Sequence, residues 1–186
     1  MLRVKLSVVY ALVLPLAAAL MVGCSTATLD KTAGKSSTEL YADAKEEMNN
    51  SQWEKAIPLL EKLESRAAGT PLAQQAQIDK AYAQTKAGEP ISAVATLDRF
   101  MRLHPASPAM DYALYLKGMA NFNDDLGILG SYTGQDLAER DQKASKESFE
   151  AFRELSVRFP DSRYTPDALL RMNYIVQSLA KYEVHV

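Results

Sequence analysis

One segment of this chain recurs in a helical pattern: Ala93-Val94-Ala95-Thr96-Leu97-Asp98-Arg99-Phe100. A small residue is followed by apolar residues four and seven positions later, and the same spacing occurs at Ala56-Leu60-Leu63 and Ser148-Phe152-Leu155. Because residues with this spacing share one face of an α-helix, each copy predicts an amphipathic helix. The first two copies lie 37 residues apart and the last two 55, which indicates one insertion of 18 residues.

A second helical segment precedes each copy and carries a small residue where it must approach its partner: Ala44, Ala81 and Gly118. Helix pairs with a period near 34–37 residues are typical of tetratricopeptide repeats. The sequence therefore predicts an all-α fold, a tetratricopeptide-type helix-pair solenoid. Helices are predicted at about 37–49, 52–66, 71–87, 90–103, 108–122, 142–158 and 166–182.

Residues 36–186 would form three helix pairs and the start of a fourth, with the insertion at about 123–141. Thr70-Pro71, Ser107-Pro108 and Thr165-Pro166 each place a hydroxyl N-cap before a proline at the first helical position. No capping helix precedes Val186, so we expect the solenoid to be C-terminally truncated. Apolar residues in the insertion must either pack across the concave side of the solenoid, which we favour, or meet a partner.

The N-terminus has the features of a lipoprotein signal peptide at residues 1–23. Arg3 and Lys5 precede an apolar run from Leu6 to Val22, and the only cysteine, Cys24, follows Gly23 directly. The run is short for a membrane span and no charged stop segment follows. We expect cleavage before Cys24 and its acylation, then a flexible Ser/Thr/Ala/Gly-rich tether over 24–35. The alternative is an ordinary signal peptide cleaved elsewhere.

Composition and motifs argue against nucleic-acid binding, metal binding and catalysis. The chain has 21 Lys and Arg against 23 Asp and Glu, and removal of the signal segment leaves a net charge of about −4. Nucleic-acid binding is not expected, because the basic residues form no cluster. The two histidines lie far apart, and no metal-ligand spacing or catalytic motif occurs. We expect no enzyme, cofactor or metal; a cell-wall enzyme with the insertion as its active loop is the alternative from another class.

Aromatic residues lie on the helices that would line the concave side. Positions three before, one after and four after each small residue should face inward, namely Tyr41, Lys45 and Met48, then Ile78, Tyr82 and Thr85, then Tyr115, Met119 and Phe122. From these and Tyr112, one turn before Tyr115, we take Tyr41, Lys45, Tyr82, Tyr112, Tyr115, Met119 and Phe122 as candidates for a peptide-binding groove. Such a surface suits an extended or helical peptide with aromatic side chains. Filling of the space between helix pairs is the alternative role.

Several longer motifs resemble one family. They are Leu97-Asp98-Arg99-Phe100 to His104-Pro105, Asp111-Tyr112 to Tyr115-Leu116-Lys117-Gly118, Arg140-Asp141 with Phe149 and Phe152, the turn Arg158 to Tyr164, Asp167-Ala168, and Leu179 to Glu183. Together with the signal segment, they resemble the BamD (ComL) family, tetratricopeptide lipoproteins of the β-barrel assembly machinery.

The resemblance implies a function and a location. Members of the family lie on the periplasmic face of the outer membrane of Gram-negative bacteria, attached through a lipid. They bind the POTRA region of BamA and other assembly lipoproteins. They assist insertion of unfolded outer-membrane proteins by recognising a C-terminal signal that ends in an aromatic residue. Ser25 after the cysteine agrees with outer-membrane sorting. The alternative is a pilotin-like tetratricopeptide lipoprotein that escorts a secretion or pilus subunit.

Replacement of the acylation site tests the lipoprotein interpretation. Cys24→Ala should abolish incorporation of labelled palmitate and leave the precursor uncleaved, because the thiol is the only acylation point in the chain. Ser25→Ala serves as the neighbouring control and should still be labelled. Palmitate labelling of the Cys24→Ala chain would contradict the interpretation.

Overall fold

The computed structural model describes residues 32–122 and 135–184, with side chains at 32–122 and 142–180. The signal segment, Cys24, most of the predicted tether and residues 123–134 of the insertion lie outside the described residues. All regular structure within the described part is helical. Its helices are α1 (Ser37–Asn49), α2 (Trp53–Arg66), α3 (Pro71–Lys86), α4 (Pro90–Leu103), α5 (Met110–Ala120), α6 (Gln135–Arg158) and α7 (Thr165–Val184).

These helices belong to one compact unit, Lys35–Val186, distinct from Met1–Gly34. Each helix packs against the next one along the chain, so α1–α2, α3–α4 and α5–α6 form successive pairs and α7 follows. The first helices of successive pairs also meet, since α3 contacts α5 and α5 contacts α7. This stacking of neighbours confirms the predicted helix-pair solenoid.

Capping interactions fix the starts of two helices as the sequence predicts. The Ser36 hydroxyl accepts from the Glu39 amide at 3.2 Å, and the Glu39 carboxylate accepts from the Ser36 amide at 2.7 Å, which completes a capping box. The Thr70 hydroxyl accepts from the Ala73 amide at 3.2 Å, with Pro71 at the first helical position.

Several predicted boundaries differ from the observed ones, two of them at helix starts that bear on the turns and the insertion. Helix α5 begins at Met110 rather than 108, because Ser107 accepts from the Ala109 amide at 3.3 Å within a turn that precedes the helix. Helix α6 begins at Gln135 rather than 142, so the last seven residues of the expected insertion are helical. Thr165 also differs from its predicted capping role: its hydroxyl donates to the Phe159 carbonyl at 2.7 Å and ties α7 to the preceding turn.

The repeated pattern forms the core. All nine of its residues are buried, at most 4% exposed: Ala56, Leu60, Leu63, Ala93, Leu97, Phe100, Ser148, Phe152 and Leu155. The three small residues opposite them, Ala44, Ala81 and Gly118, are buried as well. The pattern therefore identified both sides of each helix–helix contact.

A buried charge cluster joins three consecutive helices. Glu64 of α2 accepts from Lys80 of α3 at 3.0 Å and pairs with Arg99 of α4, and Gln77 of α3 donates to it at 2.9 Å. Burial alone would raise the pKa of Glu64, but the donors from Lys80 and Gln77 and the charges of Lys80 and Arg99 lower it below its ordinary value. The cluster fixes the relative position of α2, α3 and α4.

Helices α5 and α6 approach each other closely at Gly118. A Cβ atom at Gly118 would lie 2.4–2.7 Å from three ring carbons of Phe152. The Ser148 hydroxyl donates to the Gly118 carbonyl at 2.8 Å on the same seam. Glycine is thus required by the close approach of Phe152, not by the backbone conformation, which is helical.

Gly118→Ala should lower the free energy of unfolding by about 1 kcal/mol. Overpacking of about 1–3 kcal/mol outweighs the gain of about 1 kcal/mol in helix propensity. Urea denaturation measures the change, and Gly34→Ala is the control because no atom lies within 4 Å of its added Cβ.

The same substitution should cost less in a Phe152→Leu background, since the smaller side chain leaves room for the methyl group. An equal cost in both backgrounds would contradict the assigned cause.

Candidate functional site

The seven candidate groove residues lie along one row of contacts on α1, α3, α5 and the segment that ends α5. We call this surface the first-helix face: Tyr41, Lys45, Tyr82, Tyr112, Tyr115, Met119 and Phe122. Each of these side chains is half-buried, so each one packs against the domain while part of it meets solvent. Packing against the domain is therefore one role of these residues, and their exposed parts form a surface.

A buried carboxylate joins α1 to α3 at one end of the face. The Asp79 carboxylate accepts from the Tyr41 hydroxyl at 3.0 Å and from the side-chain amide of Gln75 at 3.0 Å. The Lys45 ammonium lies 3.5 Å from the same carboxylate. Burial, reinforced by this carboxylate, raises the pKa of Tyr41 to about 12. The hydroxyl therefore remains a fixed donor at neutral pH.

Aromatic rings occupy the middle of the face. Tyr82 meets Trp53 edge-on, with ring centroids 5.7 Å apart, and the Lys86 ammonium lies 5.7 Å from the Tyr82 centroid. Burial raises the pKa of Tyr112 to about 12, with smaller contributions from Tyr164 and Tyr82. Tyr82 and Tyr112 pack against the same core cluster, which continues the face from α3 to α5.

A second carboxylate joins α5 to α7. Asp167 accepts from the Tyr115 hydroxyl at 2.7 Å and from Arg171 Nε at 2.6 Å. Burial alone would raise the pKa of Asp167, but these hydrogen bonds and the charge of Arg171 lower it below its ordinary value. Burial and the bond to Asp167 raise the pKa of Tyr115.

The far end of the face is a cluster around Phe122. The Arg171 guanidinium lies 4.7 Å from its ring centroid, and the Tyr174 ring meets it at 5.7 Å with an interplanar angle of 60°. Met119 packs into the same cluster of α5, α6 and α7. An aromatic ring with a cation above it and another ring at its edge is a stable arrangement in a partly exposed position.

The described residues offer no alternative chemistry. No group of three or more metal-ligating side chains occurs among residues 32–122 and 142–180. In the described part of the chain, no helix combines the length and the apolar character that crossing a bilayer requires. The first-helix face presents aromatic rings, hydroxyl groups bonded to carboxylates, and charged groups.

The helical unit matches a known protein family. Residues 33–186 match the model of a family described as YfiO, outer membrane lipoprotein. The chain belongs to this family. The resemblance inferred from the sequence motifs is thereby confirmed.

Curated relatives of this YfiO-family chain are named outer membrane protein assembly factor BamD. The relative from Neisseria meningitidis serogroup B is 46% identical over 168 residues, which cover 88% of this chain and 63% of the relative. The relative from Vibrio cholerae is 32% identical over 169 residues, covering 91% of this chain and 70% of the relative. The chain thus spans about two thirds of the length of these relatives, and their names do not favour the pilotin-like alternative.

Two predicted inward positions do not belong to the face, whereas Thr85 is half-buried like the residues that do. Met48 and Ile78 are buried at 7% and 3% exposure, because their helices turn these side chains into the core between pairs. The Thr85 hydroxyl donates to the Ala81 carbonyl of its own helix at 2.8 Å. A rule based on one small residue per helix therefore places the inward side correctly only to within one helical position.

Sequence patterns did not indicate the polar partners of the face, Asp79, Asp167 and Arg171, or two of its aromatic neighbours, Tyr164 and Tyr174. Tyr164 ends the turn that the family motif contains, and its position directly before α7 was the available signal. Asp79 lies two residues before Ala81, outside the positions that the inward rule considered. YfiO-family motifs thus marked the right segments without assigning their roles.

The lowered pKa of Asp167 predicts a dependence of stability on pH. Its ionisation contributes stability that is fully present above the unfolded pKa of about 4 and is lost as pH falls through the lower folded pKa. Asp167→Asn should therefore be less stable than the unaltered chain at pH 6, with the difference shrinking below about pH 4. Urea midpoints across this range measure the effect. Asp161→Asn, an exposed control in the preceding turn, should change little, and a pH-independent deficit for Asp167→Asn would contradict the prediction.

Proposed function

We propose that this chain is an outer-membrane lipoprotein scaffold of the β-barrel assembly machinery. It assists folding and insertion of outer-membrane proteins by binding their C-terminal signals on the first-helix face. The observation that carries the proposal is the unbroken row of half-exposed aromatic residues that runs from Tyr41 to Phe122 across successive first helices. Membership of the YfiO family supports it.

The chemistry of the face fits an extended segment that ends in an aromatic residue. Half-exposed rings bury further apolar area when another ring packs on them, and such pairs contribute about 0.5–1.5 kcal/mol beyond the area term. The Tyr41 and Tyr115 hydroxyls are already committed to Asp79 and Asp167, so the rings are held in place before the client arrives. Less conformational entropy is then lost on binding.

The partners proposed for this chain are the BamA POTRA region and other assembly lipoproteins, together with unfolded outer-membrane proteins. The family resemblance implies these partners, and the curated relatives are assembly factors by name. We propose no enzymatic activity, since docking of clients and partners on a rigid helical surface accounts for an assembly role.

The proposed anchor is a lipid on Cys24, which holds the helical unit at the periplasmic face of the outer membrane. Lys35, two residues before α1, is held to the helical unit: its carbonyl accepts from Arg66 Nη1 at 2.7 Å and its ammonium pairs with Asp43. This agrees with a tether that ends near residue 35.

Loss of two aromatic residues tests the client-binding proposal. Tyr115→Ala combined with Phe122→Ala should reduce photo-crosslinking to a C-terminal peptide of an outer-membrane barrel protein at least fivefold, because two ring contacts of about 1 kcal/mol each disappear. The control is Ile91→Ala combined with Val157→Ala, which removes apolar residues 76% and 72% exposed on other helices.

Circular dichroism and thermal melting establish that both double variants remain folded. Crosslinking that is unchanged in the Tyr115/Phe122 variant would move the site elsewhere. A version extended to the length of the curated relatives should co-purify with a POTRA protein if the chain has the assembly role. A pilotin-like protein would co-purify with a secretion or pilus subunit instead.

A further inference from the structure

Residues of α2, α3 and α4 line a polar cleft. Its volume is about 550 Å³, which is within the range of small-ligand sites. Glu64 of α2, Gln77 and Lys80 of α3 and Arg99 of α4 are among the residues that line it. The seven residues of the first-helix face do not line this cleft, so it is a separate surface.

The side-chain oxygen of Gln77 in this cleft lacks a hydrogen-bond donor. Gln77 is 7% exposed, and within the described part of the chain its Oε1 atom is buried and accepts no hydrogen bond. The Nε2 amide of the same side chain donates to Glu64 at 2.9 Å, which fixes the orientation of the amide group. Because a buried acceptor without a donor lowers stability, this oxygen points to a ligand that supplies the donor.

The next repeat shows that the fold does not require a polar group at this position. Leu114 lies 37 residues after Gln77, the distance that separates the first two copies of the repeated pattern, and it is buried. Met101 lies at the same distance after Glu64 and packs against the cluster that contains Leu114. Apolar packing therefore suffices here for the solenoid, and the polar pair distinguishes the first repeat from the second.

The charged groups of the cleft balance one another. Lys80 lies 3.0 Å from Glu64 and 3.9 Å from Glu61, and Arg99 also pairs with Glu64. Two acids and two bases favour a neutral, dipolar ligand over an anion or a cation. Arg99 is the accessible cation, since its side chain is 53% exposed whereas that of Lys80 is 8% exposed.

We propose that this cleft binds an amide group of an extended polypeptide segment from a partner protein. The amide N–H donates to Gln77 Oε1, and the amide carbonyl accepts from the Arg99 guanidinium, so one neutral group uses both. The oxygen of Gln77 is covered in the free chain, and the ligand reaches it when Arg99 turns from Glu64 towards the carbonyl. Glu64 then keeps its hydrogen bonds from Lys80 and Gln77.

Three small neutral probes test the site on the purified chain. N-methylacetamide represents a main-chain amide, propionamide represents an Asn or Gln side chain, and methyl acetate has a carbonyl but no N–H. At least one of the two amides should shift the side-chain NMR signals of Gln77 and Arg99 saturably, and the tighter of the two identifies the source of the amide. Methyl acetate should bind about fivefold more weakly than that amide, because it offers Gln77 no donor.

Two variants assign the binding to these side chains. Gln77→Leu copies the residue of the next repeat, so it should stay folded by circular dichroism, and amide binding read from the Arg99 signal should fall about fivefold. Arg99→Lys keeps a cation near Glu64 but removes the planar guanidinium, and it should weaken amide binding read from the Gln77 signal. The matched control is Gln52→Leu, the same change at an exposed position without a side-chain capping bond, which should keep full affinity.

Three results would overturn the site. They are equal binding of methyl acetate and the amides, amide binding that is unchanged in Gln77→Leu, and the absence of saturable shifts with either amide in the unaltered chain. Each of them would leave the proposed docking of clients on the first-helix face standing, because that face shares no residue with the cleft.

Discussion

The close approach of α5 and α6 at Gly118 determines the geometry of the face above it. Because Gly118 has no side chain, the Phe152 ring reaches the axis of α5 and fills the seam between the two helices. Tyr115 and Phe122 then rest against the same ring, with centroids 6.0 and 6.3 Å away. This core contact therefore fixes the positions of Tyr115 and Phe122, the two residues whose replacement tests the proposed docking role. The same small-residue rule at Ala44 and Ala81 brings the earlier pairs together, so core and surface are products of one packing constraint.

A buried carboxylate with its two cations, of which Arg99 is exposed, adds specificity to this apolar packing. Glu64, Lys80 and Arg99 come from α2, α3 and α4, so their ion pairs can form only when the three helices are in one relative position. Desolvation offsets much of the attraction within such a cluster, and its contribution to net stability is therefore small. Its effect is on register: a slide of α3 would leave a buried carboxylate unpaired, at a cost of about 3–5 kcal/mol. The first-helix face, to which α3 contributes Tyr82, inherits that fixed register.

The periodic pattern of small and apolar residues predicted most of the fold. The pattern of small and apolar residues predicted the helices at 37–49 and 90–103 with the observed bounds and identified every residue of the repeated core. It failed where a boundary depends on a turn rather than on a face, as at Ser107 before α5. The site was less predictable, because its polar groups act across helices. Asp167 lies 52 residues from Tyr115 along the chain, and no local pattern indicates that their side chains meet. The aromatic residues were predicted because their spacing is helical. Their polar partners on other helices were not predicted.

The two carboxylates explain how an exposed aromatic surface can be specific. Free tyrosine side chains would rotate among several rotamers and would have to be ordered by the client, at about 0.5–1.5 kcal/mol each. Here Asp79 holds Tyr41 and Asp167 holds Tyr115, and both hydroxyls, which are protonated at neutral pH, act as donors. The ring faces are thereby presented in fixed orientations while their hydrogen-bonding groups are already satisfied. A client gains little by offering polar groups to these hydroxyls and gains most by stacking rings. In the proposed docking role, the arrangement would favour aromatic side chains through packing, without a pocket that has to close.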